Sequence, residues 1–172
     1  VSYSRGCVCV VGQGDVPNWA KLCDWFNPLL ARGSLGNDLI ILHTAWDAGN
    51  DTQKLKEIAA FACAAAASRE RYEESVYQGE AFLKAAEVWH VTPSADETQK
   101  TRWPLPVVQG MVFRRGGIGK AQAVLSGGYV AVAALVSAAV RLIPLGQTDG
   151  LRALAQLEPA LQAAASAAHK AG

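Results

Sequence analysis

The chain has 172 residues, 51% of them hydrophobic, which is enough apolar material for one domain with a substantial core. Its formal net charge is +1 and its 16 Lys and Arg residues are scattered rather than striped, so no field exists to recruit nucleic acid or an anionic membrane. Four cysteines (Cys7, Cys9, Cys23 and Cys63) are too sparse and irregular for a disulfide scaffold. No basic leader and cleavage site follow Val1, and the expected compartment is the reducing cytoplasm.

Helical spacing dominates in chain order. Asp15 caps a first helix, with Pro17 in its first turn. Trp19, Leu22, Cys23, Phe26, Leu29 and Leu30 then recur at three and four and form one apolar face. Pro28 is expected to kink or end that helix early, and Arg32-Gly33 to stop it. Asn37-Asp38 opens a second helix through Leu39, Leu42 and Trp46, closed by Gly49. Asp51 or Thr52 caps a third, Ala-rich helix running to about Ala67. A fourth runs from Ser68 to about Trp89, with Glu70, Glu73 and Glu74 near its start, where negative charge suits the helix dipole.

The stretch from Val91 to Trp103 reads as the longest exposed loop. A helix resumes near Leu105 and breaks at Arg115-Gly116-Gly117. A long helix from about Lys120 to Ile143 comes next, then a last segment split by Glu158-Pro159. Only Cys7 to Val11 reads equally well as a strand. The fold class expected is all-α: one helical domain over residues 1–172, bundled around the long apolar helix at about 120–143. Within it, Val124 to Val140 is about 17 residues, the lower limit for spanning hydrocarbon. Its Ser126, Gly127, Gly128, Ser137 and alanines favour a central helix buried on all sides over a membrane span.

Ser137 to Leu154 joins that helix to the next in a fixed order. Arg141 meets the negative end of the helix dipole, Pro144 ends the helix, Gly146 can turn left-handed, and Thr148 or Asp149 can cap the last helix. The wording of this passage resembles the "AAVRL-P-GQ" segment of the F-type urease accessory proteins. Tyr3-Ser-Arg-Gly6, Val11 and Gly14-Asp-Val16 resemble that family's opening, and Leu22, Trp25 and Leu29-Leu30 its next helix. Asn37-Asp38-Leu39 is similar to its "(N)DLP" start, and Ala48-Gly-Asn-Asp51 to its "A…GD" turn. Ser68-Arg-Glu-Arg-Tyr-Glu-Glu-Ser75 with Gln78-Gly79 resembles its "SRELREES…G" helix, and Gly110 also matches. Val8 and Gly12 depart from it, standing where the family carries acidic residues. A leading segment and a charged, aromatic tail usual in the family are not seen, and the contacts they supply are expected to be missing.

The resemblance implies a non-enzymatic, all-helical maturation chaperone. Such proteins bind a D-type (also called H-type) accessory protein and a G-type GTPase, help load nickel into apo-urease, and form homodimers. No cofactor and no catalytic or metal-binding residue is implied. The partner-binding candidates are Tyr3, Ser4, Arg69, Glu70, Glu73, Glu74, Arg141 and Gln147. For the charged Ser68 to Glu74 run, a solvated helix face with pairs such as Arg69 and Glu73 competes with a docking face. For Arg141 and Gln147, simple turn architecture competes. The rival function class is a helical interaction or regulatory domain with no metal-related role.

Three chemistries are weaker readings. Arg114-Arg-Gly-Gly-Ile-Gly-Lys-Ala121 lacks the first glycine, the hydroxyl after the lysine and the preceding strand of a phosphate-binding loop. Cys7-x-Cys9 with His43, His90 and His169 could supply metal ligands, yet no Cys-x2-Cys or helical His pair pre-forms a site. A nucleophilic cysteine would need a base and an orienting group that the sequence does not indicate.

Overall fold

The computed structural model describes residues 19–93, 101–142 and 147–171. These form seven α-helices and one 3-10 turn, with no strand among the described residues: α1 (Trp19–Ala31), α2 (Ser34–Ala48), α3 (Thr52–Ala64), α4 (Arg69–Ala86) with the turn Glu87–Trp89, α5 (Leu105–Arg115), α6 (Lys120–Leu142) and α7 (Gln147–Ala171). The fold is all-α, as expected. The readings at Asp15, Pro17, Cys7 to Val11, Pro144 and Gly146 lie outside the described residues.

Local chemistry explains most boundaries. Asp51 caps α3 by accepting the Lys54 N–H at 3.1 Å, and Ser68 caps α4 by accepting the Arg71 N–H at 3.2 Å. Gly49 closes α2 at φ 61, a left-handed conformation that glycine adopts without a Cβ clash. Three expectations need correction. Helix α2 starts at Ser34, a turn before Asn37-Asp38, with the Asn37 N–H bonded to the Gly33 carbonyl. Pro28 and Pro159 neither end nor split their helices; both lie inside α1 and α7. The carbonyls each proline leaves unpaired belong to Asp24 and Ala155, both exposed residues, where water can take up the bond.

Helix α2 packs against α1, α3, α5, α6 and α7. Leu35, Leu39 and Leu42 join Leu22, Phe26, Val132, Leu135 and Leu157 in one core cluster. Ala45 joins Leu55, Trp103, Val107, Val108 and Met111 in a second. Two close crossings need glycine. A Cβ on Gly110 of α5 would stand 2.4 Å from the Leu42 carbonyl oxygen and 2.8 Å from the Trp46 nitrogen. One on Gly79 of α4 would meet the Trp103 carbonyl oxygen and the Leu105 nitrogen, again backbone atoms that cannot swing aside.

At 23 residues, α6 is about 35 Å long and traverses the bundle. It is long and apolar enough to cross a membrane by length and composition, but it packs on α2, α5 and α7. Gly127 and Gly128 seat it against Leu42, Leu39 and Leu161. It is not buried on all sides: only 44% of its most apolar stretch is covered, and Leu125, Tyr129, Val130 and Ala134 are exposed. The reason is geometric, since its neighbours occupy one side of the cylinder.

These contacts set the stability expected of three variants. Gly110→Ala and Gly79→Ala should each destabilise by about 1–3 kcal/mol through overpacking against fixed backbone. Ala134→Leu, on the exposed side, should stay within about 0.5 kcal/mol. Urea midpoints at constant m check all three.

Candidate partner-docking site

The charged start of α4 divides into an outer and an inner set. Arg69 and Glu73 lie one turn apart and pair on the surface at 2.8 Å, as the spacing predicts. The Glu73 hydrogen bond holds the Arg69 guanidinium above its usual pKa. Bonds from its own N–H and from Ser68 hold the Glu70 carboxyl below the carboxylate range. Glu74 behaves differently. It is 6% exposed and lies 3.5 Å from Arg71, whose other nitrogen bonds Asp38 at the start of α2. As a candidate contact residue Glu74 must be corrected: it belongs to an internal ionic strut joining α4 to α2. The strut also gives a structural role to Asp38 and Arg71, two positions of the family-like motifs.

Arg141 lies exposed in the last turn of α6, and Gln147 opens α7. Tyr3 and Ser4 lie outside the described residues. Helix α4 packs on α5, whereas α6 and α7 pack on each other and on α2, so the α4 start and the α6–α7 junction lie on different helix pairs. A third surface is one the sequence does not single out. Leu125, Tyr129 and Val130 of α6 and Leu151 of α7 are 38–68% exposed and border a groove floored by Val132, Leu154 and Leu157. A contiguous apolar strip with one aromatic and a polar edge at Glu158 has the composition of a protein-binding surface. No sequence signal marks it, because Leu125, Tyr129 and Val130 stand in a continuous apolar run without a polar face.

The weaker chemistries meet their geometry here. Arg114 to Ala121 forms a helix–helix turn in which Lys120 opens α6 and its ammonium bonds both Asp47 oxygens at 2.9 and 3.0 Å. The Arg114 guanidinium stacks over Trp46 at 4.3 Å, and the Trp46 indole donates to the Ile118 carbonyl at 2.9 Å. Burial pushes the Cys23 and Cys63 thiols above their ordinary pKa, away from the thiolate a nucleophile needs. Among the described residues no cluster of three or more His, Cys, Asp or Glu could hold a metal ion. Two of the histidines nevertheless meet: His43 Nε2 of α2 lies 3.2 Å from His169 Nδ1 of α7, with the rings edge to face.

Comparison with known proteins adds a specific likeness. The sequence model of the UreF family matches residues 16–158. Urease accessory protein UreF of Agrobacterium fabrum (strain C58) is 38% identical over 168 residues, covering 97% of this chain and 74% of its own length. The protein of that name from Bradyrhizobium diazoefficiens is 38% identical over 173 residues, covering 97% and 71%. That from Rhizobium etli is 39% identical over 159 residues, covering 91% and 70%.

The division of the α4 charges has a measurable consequence. Arg71→Met should destabilise by about 3 kcal/mol, because it strips the buried Glu74 of its counter-charge. Arg69→Ala, at a pair open to water, should change stability by less than about 1 kcal/mol. Chemical denaturation of the two variants side by side checks the difference.

Proposed function

This chain belongs to the UreF family of urease accessory proteins, and on that premise we propose that it works as a non-enzymatic scaffold in urease maturation. As one cytoplasmic helical domain over residues 1–172, self-associating as a homodimer, it joins a D-type (H-type) accessory protein to a G-type GTPase. The assembly helps nickel enter apo-urease as GTP is hydrolysed. The observation that carries this reading is the family match over residues 16–158.

The surface chemistry supports it. Docking of large partners needs apolar area that can be desolvated and a charged rim that sets register. The α6–α7 groove supplies the first, and we assign it to the D-type accessory protein. Arg69, Glu70 and Glu73 at the α4 start, Arg141 and Gln147 at the α6–α7 junction, and Tyr3 and Ser4 ahead of α1 supply polar contacts. A mediator of this kind needs no nucleotide site of its own, and the Arg114 to Ala121 turn, with Lys120 held by Asp47, is not built as one.

Tyr129→Asp combined with Leu151→Asp should weaken binding of the D-type protein by roughly tenfold or more, with helicity and denaturation midpoint unchanged. Urease activation in a reconstituted mixture should fall in parallel. Wild-type binding by the double variant would move the docking surface elsewhere, and failure of the unaltered chain to support activation would remove the maturation role itself.

A further inference from the structure

Resting on the assignment of the α6–α7 groove to the D-type accessory protein, we infer that the partner segment seated there carries an acidic side chain, received at a basic end of the groove by Lys120, His169 and Lys170.

The groove does not stop where its apolar part ends. Leu125 and Gln162 border the apolar part and also a second hollow, formed by the start of α6 and the end of α7. The two helices run antiparallel, so this hollow continues the trough past Tyr129 toward Lys120 on one side and past Glu158 toward Lys170 on the other. Ala121 and Tyr129 stand about 12 Å apart along α6. A partner segment that covers Tyr129 therefore reaches the second hollow within a few residues.

Charge changes along the trough. The apolar part holds one charged side chain, Glu158. The second hollow is lined by Lys120, Lys170, His43 and His169, with no acidic residue among the described lining. Asp47, which is not part of that lining, takes both Lys120 bonds at 2.9 and 3.0 Å and offsets one of the two ammonium charges. Lys170 is exposed and has no ion-pair partner among the described residues, so the other charge remains. A basic last turn suits the negative end of α7 and by itself would account for His169 and Lys170. It does not account for Lys120, which stands at the positive end of α6, in a first turn without an acidic residue. That turn adds backbone N–H groups with no helical partner, and Ala121 carries it to the hollow.

The basic end is also fixed in place. His43 is 2% exposed, and its Nε2 lies 3.2 Å from His169 Nδ1, which ties the last turn of α7 to α2. Lys170 is thus carried on an anchored helix end. A carboxylate is repelled beside Glu158 and attracted about two turns further along, so the charges select one direction for the bound segment. The apolar part supplies contact area and the basic end supplies register.

The test measures binding of a D-type urease accessory protein to the full chain by surface plasmon resonance at about 50 and about 200 mM salt. Lys170→Glu should weaken binding by roughly tenfold, chiefly through slower association, and Lys170→Gln by roughly threefold, both with a smaller salt dependence than wild type. Lys84→Glu, the same charge change at the exposed end of α4, should stay within about twofold of wild type. Undiminished binding by Lys170→Glu, beside the loss expected of Tyr129→Asp with Leu151→Asp, would overturn this inference and leave the groove assignment standing. Equal weakening by Lys84→Glu would overturn it as well, by reducing the effect to net charge. Wild-type binding by the Tyr129 and Leu151 double variant would remove the groove assignment and this inference together.

Discussion

The crossing of α2 and α5 at Gly110 is the constraint on which the rest of the bundle depends. Its close contacts are with the backbone of α2, so the two helices have one permitted separation and no side chain can yield to change it. Helix α2 is thereby held with Leu35, Leu39 and Leu42 toward one core cluster and Ala45 toward the other. Trp46, one turn past Leu42, reaches the α5–α6 connection through its indole, and Asp47 beside it anchors the first residue of α6. A side chain forced into the crossing would disturb both clusters and the entry of α6 together.

A bundle organised in this way can leave one side of α6 uncovered. Val124, Val132, Leu135 and Val136 of α6 face inward, beside Gly127 and Gly128, which admit the leucines of α2 and α7, whereas Leu125, Tyr129 and Val130 face outward. Large apolar groups kept in water cost stability, and a covering partner would recover it. The ionic strut of Asp38, Arg71 and Glu74 serves a different end. Buried charges contribute little net stability but strongly disfavour any packing of α4 on α2 that separates them.

Much of this is legible in the sequence, because helix periodicity, caps and glycine stops are local signals. Asp51, Ser68, Gly49 and the break after Arg115 mark helix ends in the sequence and in the fold alike. Pro28 and Pro159 mislead because the cost of a proline depends on where its orphaned carbonyl points, which is a tertiary fact. Glu74 groups with exposed neighbours in the sequence because its burial comes with the docking of α4 on α2, where its neighbour Arg71 reaches Asp38, far away along the chain. The exposed side of α6 is invisible there because a continuous apolar run has no polar face to mark the side left uncovered. The His43–His169 contact is beyond reach, since it joins two helices that become neighbours only through the fold.

Hydrogen exchange on the chain alone and in complex with a D-type urease accessory protein tests most directly the claim that a rigid bundle offers its α6–α7 groove to a partner. The expected result is slowed exchange in α6 around residues 125–130 and in α7 around residues 151–158, with the already protected α2–α5 crossing unchanged. Slowed exchange confined to α3 or α4, with the α6–α7 groove unaltered, would contradict it.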